Sequence, residues 1–356
     1  MLSLPKFPAQ AVGAIWDTRT SERTFVVYDD SRIYTYVYYP DHVDGPHCVQ
    51  VGATALPHGL VPLRLSQGTL ACLTPSGKTA SIVLDTHKLC QGSDVSEDRL
   101  ADAVRANQAL GKFRAAFAHI HRLQSVSPST ATLLWEPLAR AAMRALEISE
   151  AMHIYRAMGK AAMVQTLRGL LYAEDANLLA GHVCLLMGEA ERAERLFLSS
   201  SSPQEALNMH RDLLQWEQAL RLAERFSKGE IPYLSREYAQ QLEFQGQWTK
   251  AKQLYETALT NEATDRQHND ACKAGLARTS IRNGEVTQGV GLANELKSKS
   301  VYRDCAAALE AMGQLGEAAA MFEKAEQFER ACNIYLKSKN WAKVCVRRGD
   351  GWGECD

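Results

Sequence analysis

Gly188-Glu189-Ala190-Glu191-Arg192-Ala193-Glu194-Arg195-Leu196-Phe197 superimposes on Gly246-Gln247-Trp248-Thr249-Lys250-Ala251-Lys252-Gln253-Leu254-Tyr255 and on Gly313-Gln314-Leu315-Gly316-Glu317-Ala318-Ala319-Ala320-Met321-Phe322. Five residues after each glycine stands an alanine, and nine after it an aromatic. Four residues is about one helical turn, so alanine and aromatic share a face. Adding the residue at plus two completes the buried stripe of an amphipathic helix. The glycine then predicts a left-handed turn between antiparallel helices. Alanine lets the helix backbones approach, and the aromatic fills the next layer.

The stripe recurs in weaker form as Ile148/Ala151/Tyr155, Trp216/Ala219/Ala223, Val286/Gly289/Ala293, Phe328/Ala331/Tyr335 and Trp341/Val344. First stripe residues are separated by 42, 26, 32, 38 and 29 residues, then 13 and 13, scattering about the roughly 34 residues of a tetratricopeptide (TPR) unit. The pattern predicts degenerate TPR-like helix pairs, with an all-α bundle of similar packing habit as the alternative. Pairs that cannot bury their own apolar faces stack in a row, and such rows bind other proteins. The aromatic stripe residues Tyr155, Phe197, Trp216, Trp248 and Tyr255 are therefore expected in the core.

With 356 residues, 46% of them hydrophobic, the chain can bury ample core. A formal net charge of −1 gives no long-range field to gather nucleic acid or an anionic membrane, which leaves protein partners. The nine cysteines are scattered without a Cys-x-x-Cys pair and are expected as small buried hydrophobes in a reducing compartment. Met1-Leu2-Ser3-Leu4-Pro5-Lys6-Phe7-Pro8 lacks the basic and apolar regions of a signal peptide. No run approaches the ~18 apolar residues of a membrane span. A cytoplasmic protein without direct membrane insertion is expected.

Up to about Cys90 the texture is β. Thr24 to Asp29 and Ile33 to Tyr39 read as a hairpin about Asp30-Ser31-Arg32, with Tyr34, Tyr36 and Tyr38 alternating against Ile33, Thr35 and Val37. Val49 to Val51, Leu70 to Leu73 and Ala80 to Leu84 continue as short strands. Gly45-Pro46, Pro57-His58-Gly59, Ser66-Gln67-Gly68 and Pro75-Ser76-Gly77 supply turns. These are expected to be about two WD40-type blades, at about 40–45 residues each, and two blades cannot close a ring. The expected organisation is the end of an incomplete β-propeller at 1–91, a linker at 92–98, a TPR-like α-solenoid at 99–345, and a frayed or aberrant end at 346–356, as in a truncated chain. The fold class is thus mainly α. Loops are expected at 125–130, 199–203, 229–232 and 261–269, the last as an exposed, protease-sensitive site.

Several motifs tempt and fail. Gly77-Lys78-Thr79 resembles the end of a phosphate-binding loop, but Cys72 stands where the first glycine is required. His210-Arg211-Asp212-Leu213 imitates a kinase catalytic loop, but Glu217 occupies the place of the metal-binding Asn. Arg348-Gly349-Asp350 would need an extracellular setting. His119 and His121 fall on different helix faces, and His153, His182 and His268 lack partners at ligand spacing. Neither the Lys and Asn ladder of a carboxylate clamp nor a catalytic constellation is present. No catalytic residue, cofactor or metal is expected, and the chain reads as no enzyme.

The β segment carries Asp29-Asp30, Thr35-Tyr36-Val37, Val51-Gly52-Ala53-Thr54 and Thr86-His87. More specific landmarks follow in the helices: Asn177-Leu178-Leu179-Ala180-Gly181-His182, Lys228-Gly229-Glu230-Ile231-Pro232, Gln241-Leu242-Glu243-Phe244 and Ser338-Lys339-Asn340-Trp341-Ala342-Lys343-Val344. In this order they resemble the WD repeat protein nineteen family, WD40/TPR-type subunits of intraflagellar transport complex A, from about residue 11 to 344. The resemblance implies the end of a second propeller followed by the first half of a solenoid. It also implies a non-enzymatic scaffold that supports retrograde ciliary transport and admits membrane-receptor cargo to the cilium. The implied partners are other complex A subunits and, indirectly, dynein and cargo adaptors. The implied location is the cytoplasm, the ciliary base and the cilium or flagellum. A coatomer-like vesicle-coat subunit is the alternative, since coat chains also join propellers to helical arrays.

Overall fold

The computed structural model describes residues 10–19, 23–91, 96–261 and 265–340. Two compact units divide it, Met1–Pro203 and Gln204–Asp356. The first opens with β1 (Gly13–Trp16), β2 (Thr24–Tyr28), β3 (Arg32–Tyr39) and β4 (His47–Ala55), paired antiparallel in that order. A second antiparallel sheet is made of β5 (Val61–Ser66), β6 (Thr69–Leu73) and β7 (Thr79–Val83). The sheets meet at a parallel bridge between Asp17 and Leu65. Val26, Ile33, Leu65, Leu70, Cys72 and Leu84 form the core between them.

The hairpin expected about residues 30–32 is the β2–β3 pair. Its turn is held by the Asp29 carboxylate, which accepts the N–H groups of Ser31 at 2.7 Å and Arg32 at 2.6 Å. Two strands carried no readable signal. β1 spans only four residues. β5 has its alternation inverted by an irregularity at Pro62/Arg64, which buries Pro62 and Leu65 and exposes Val61 and Leu63. A proline and a bulge together disguise a strand.

Helices α1 (Asp85–Lys88), α2 (Glu97–Ala109), α3 (Phe113–Val126), α4 (Pro128–Arg144), α5 (Ile148–Ala157), α6 (Ala161–Leu170), α7 (Ala176–Leu186) and α8 (Ala190–Leu198) complete the first unit. Part of the resemblance has a local cause here. Thr86 lies over Gly52, where a Cβ would meet its methyl at 2.7 Å, and the Asp85 N–H donates to Thr54 Oγ1 at 2.9 Å. The second unit holds α9 (Gln204–Asp212), α10 (Trp216–Phe226), α11 (Ile231–Phe244), α12 (Trp248–Thr257), α13 (Arg266–Arg282), α14 (Val286–Leu296), α15 (Lys299–Ala311), α16 (Leu315–Lys324) and α17 (Phe328–Lys337). There α11 packs on α13 and α13 on α15, so successive hairpins stack through their first helices.

Some expected connections are shorter than the sequence suggested. Ser127 alone separates α3 from α4, because Pro128 has the fixed φ of a first helical residue. Helix α2 begins at Glu97, inside the expected 92–98 linker, with Glu97 and Asp98 favoured by the helix dipole. Helix α13 begins at Arg266 and buries His268, so the expected 261–269 loop ends early. Residues 92–95, 262–264, the Trp341/Val344 stripe, Arg348-Gly349-Asp350 and the 346–356 end lie outside the described residues.

One backbone turn recurs through the helices. Gly111, Gly159, Gly188, Gly246, Gly284 and Gly313 all have positive φ, and so do Leu146, Leu214 and Glu326 at equivalent places. The next residue donates its N–H five residues back: Glu189 to Cys184 at 2.9 Å, Gln247 to Leu242 at 2.9 Å, Gln314 to Leu309 at 3.0 Å, Gln327 to Phe322 at 2.9 Å. This is the Schellman closure, which satisfies an orphan carbonyl of the ending helix. The same residue opens the next helix with ψ near 60°, as in Glu189 (63°) and Gln215 (66°).

Glycine takes the left-handed conformation freely, whereas other residues cost roughly 1–2 kcal/mol. Leu214 sits there with φ 58 and its side chain 57% exposed. Leu214→Gly is expected to raise stability by up to about 1 kcal/mol, the relief exceeding the added chain entropy, as read by urea unfolding. Ala251 is fully buried; Ala251→Trp is expected to overpack the α12 junction and cost about 1–3 kcal/mol, and an unchanged melting curve would refute that packing.

Candidate functional site

Nine residues after most of these turns the side chain enters the core; after Gly159 the ninth residue is the exposed Arg168. Tyr155, Phe197, Tyr255, Phe322 and Tyr335 hold that position and are the five largest fully buried side chains among the described residues. Five residues after the turn stand Ala151, Ala193, Ala219, Ala251, Ala318 and Ala331, none more than 2% exposed. Small residues on neighbouring helices receive the rings. A Cβ on Gly181 would lie 2.6 Å from the Phe197 ring, and one on Gly275 would lie 2.3 Å from that of Tyr255. Burying each such ring contributes roughly 1.5–3 kcal/mol.

The residue two after the turn is more peripheral. Trp216 is buried, stacked on Tyr238 at 6.0 Å, with its indole N–H donating to Gln241. Trp248, expected in the core, is instead half-buried at the edge of α12, with the Arg282 guanidinium 5.3 Å above its ring. The Gly111 turn is among those the sequence reading passed over: it precedes Phe113, Ala116 and Ile120, all buried. Its ninth residue is Ile, so an aromatic search passes over it.

A polar tie crosses three helices. Glu243 at the end of α11 accepts Arg278 of α13 through both oxygens, at 2.6 and 3.0 Å, and also the Tyr255 hydroxyl of α12 at 2.9 Å. Burial works to lower the Arg278 pKa, but the Glu243 hydrogen bonds and charge outweigh it and the net shift is upward. Burial, then the neighbouring Glu243 charge, pushes the Tyr255 phenol up as well. A planar guanidinium fixes geometry as well as charge, so this trio sets how one hairpin registers on the next. No spacing rule joins residues 243, 255 and 278, so the trio has no signature in the sequence.

The tempting motifs resolve into structure. Gly77-Lys78-Thr79 is the β6–β7 turn, with Thr74 and Lys78 paired through backbone and hydroxyl. His210 is buried at the end of α9, its Nδ1 2.7 Å from Gln215 Oε1. Cys184, Cys272 and Cys305 are fully buried, and burial pushes their thiols up to about 11, 11 and 12, away from nucleophilic thiolate. Among the described residues no group of three or more His, Cys, Asp and Glu is placed to hold a metal ion. Among them, too, no helix is long and apolar enough to cross a membrane.

Residues 1–87 match the profile of the WDR19 second beta-propeller, and residues 134–230 that of the IFT80/172/WDR35/WDR19 TPR domain. Human WD repeat-containing protein 19 is 37% identical over 343 residues, 96% of this chain. This chain belongs to the WD repeat-containing protein 19 family. Within that family, WD repeat-containing protein dyf-2 of Caenorhabditis elegans is 39% identical over 93% of the chain and 24% of its own length. The mouse intraflagellar transport protein 172 homolog is 23% identical over 68% of the chain and 15% of its own length. The chain spans about a quarter of the length of the human relative. The propeller profile precedes the TPR profile along this chain, and strands precede TPR-like helices in its structure.

Glu243→Ala is expected to cost about 2–3 kcal/mol, because it strands a largely covered guanidinium. Tyr255→Phe should cost only about 1 kcal/mol. Denaturant unfolding of both variants checks the ranking, and a Glu243→Ala midpoint equal to wild type would remove the tie from the account.

Proposed function

We propose that this chain is part of a non-enzymatic scaffold subunit of intraflagellar transport complex A, acting through protein–protein contacts. In this reading it supports retrograde transport and the admission of membrane-receptor cargo to the cilium. It resides in the cytoplasm, at the ciliary base and in the cilium. Its partners are the other complex A subunits and, through them, dynein and cargo adaptors.

The observation that carries the reading is the joint match, in order, of a WDR19 propeller and a transport-type TPR domain, with 37% identity to human WD repeat-containing protein 19. The chemistry agrees with it. The aromatic, ionic and thiol groups that attract attention in the helices are spent on packing, and stacked hairpins offer broad side surfaces to partners. The proposed division is propeller end at 1–91, linker at 92–98, whose last two residues already belong to α2, and solenoid at 99–345. The repeat positions from Ala151 and Tyr155 to Ala331 and Tyr335 act as its internal frame rather than as contact residues.

Affinity purification of the tagged chain from ciliated cells, read by mass spectrometry, tests the proposal. Complex A subunits should be enriched over an untagged control. Recovery of coat subunits with a small GTPase in their place would transfer the chain to vesicle coats.

A further inference from the structure

Within the first unit, the β3–β4 connection meets the helices. The Val43 N–H donates to the Arg144 carbonyl at 2.9 Å, Arg23 pairs with Glu147 at 2.8 Å, and Asp44 pairs with Arg192. Tyr39 lies against Gly111 in the α2–α3 turn. Beside this seam opens a cleft of about 310 Å³, lined by the apolar Tyr39, Val49 and Phe113 and the polar Arg105, Gln108 and Arg144 among others.

The two cations are only partly engaged. Arg105 Nη1 donates to Asp102 at 3.0 Å, and Arg144 Nη2 donates to Glu189 at 2.7 Å. Each carboxylate takes one edge of its guanidinium, and both side chains remain more than half exposed. The Gln108 amide reaches the Pro137 carbonyl at 3.5 Å. The bordering histidine registers the same charge. Burial first, then His47, Arg192 and Arg144, lowers His42 to about 4, so it is uncharged at neutral pH and adds nothing to the nearby cations.

Apolar lining shared with two guanidinium groups suits a ligand that presents an apolar side chain next to a carboxylate. Arginine's planar fork can accept a second carboxylate edge-on while keeping its first partner. We propose that this cleft is a docking site for a short acidic peptide segment of a partner protein, with an apolar residue on Tyr39 and Val49 and flanking carboxylates on Arg105 and Arg144. Aliphatic and aromatic contact supplies the attachment, and the arginine charges supply selectivity and encounter rate. The site stands apart from the transport assignment, since peptide binding and co-purification can each succeed or fail without the other.

The test uses the full chain and a fluorescein-labelled short peptide of alternating Glu and Leu, followed by fluorescence anisotropy. Saturable binding that weakens with salt is expected. Affinity should fall at least ~10-fold, about 1.4 kcal/mol, when Gln replaces Glu, when Ser replaces Leu, or in the variant Arg105→Glu. Arg105 is exposed on α2, so its melting temperature should match wild type; Arg105→Ala, with a smaller loss, guards against an effect of the introduced acid. The proposal is overturned if no saturable binding occurs, if the Gln peptide binds equally well, or if Arg105→Glu binds as wild type.

Discussion

The helical structure depends on one turn, repeated. A residue in the left-handed region ends one helix, and its successor both closes the old helix by a bond five residues back and opens the next. Because the reversal is a backbone motif of fixed length, the positions that follow it are fixed too. The fifth must be small where two helices approach, and after most turns the ninth points into the layer behind. That constraint explains why alanine and a large ring hold these places through both units, and why they include the five largest fully buried side chains.

Glycine is the easiest occupant of the turn but not an obligatory one. Leu146, Leu214 and Glu326 adopt the same conformation, which the closing hydrogen bond and the packing of both helices sustain against a cost of roughly 1–2 kcal/mol. The rings require a second accommodation, since Phe197 and Tyr255 occupy space that a Cβ at Gly181 or Gly275 would fill. Packing of this kind is hydrophobic and weakly directional. The Glu243–Arg278–Tyr255 trio adds direction, tying α11, α12 and α13 by charge-assisted bonds.

At the other end of the chain, strands and helices share one compact unit. The β3–β4 connection supplies backbone and ionic contacts to the helices, Arg23 and Tyr39 add an ion pair and an aromatic contact beside it, and the cleft there is lined from both strands and helices. Such a junction sets sheet and helix surfaces side by side within one unit. The buried groups that might suggest chemistry are committed to cohesion. Arg105 and Arg144 stay more than half exposed beside the cleft.

Reading the residues alone determined the class of fold, the Gly–Ala–aromatic frame and the kinship, because each rests on local spacing: turn, helical period and motif order are all written within ten or so neighbouring residues. It could not see the leucine and glutamate turns, since nothing in their chemistry announces a positive φ, nor β5, whose alternation an irregularity inverts. The half-burial of Trp248 was equally hidden, for a helix face says which side turns inward but not how far the neighbouring helix covers it. The Glu243 tie and the Arg105–Arg144 cleft belong wholly to tertiary structure. Glu243 is 12 residues from Tyr255 and 35 from Arg278, and Tyr39 stands over a hundred residues before Arg144; only the stacking of hairpins and the docking of a sheet on helices bring them together.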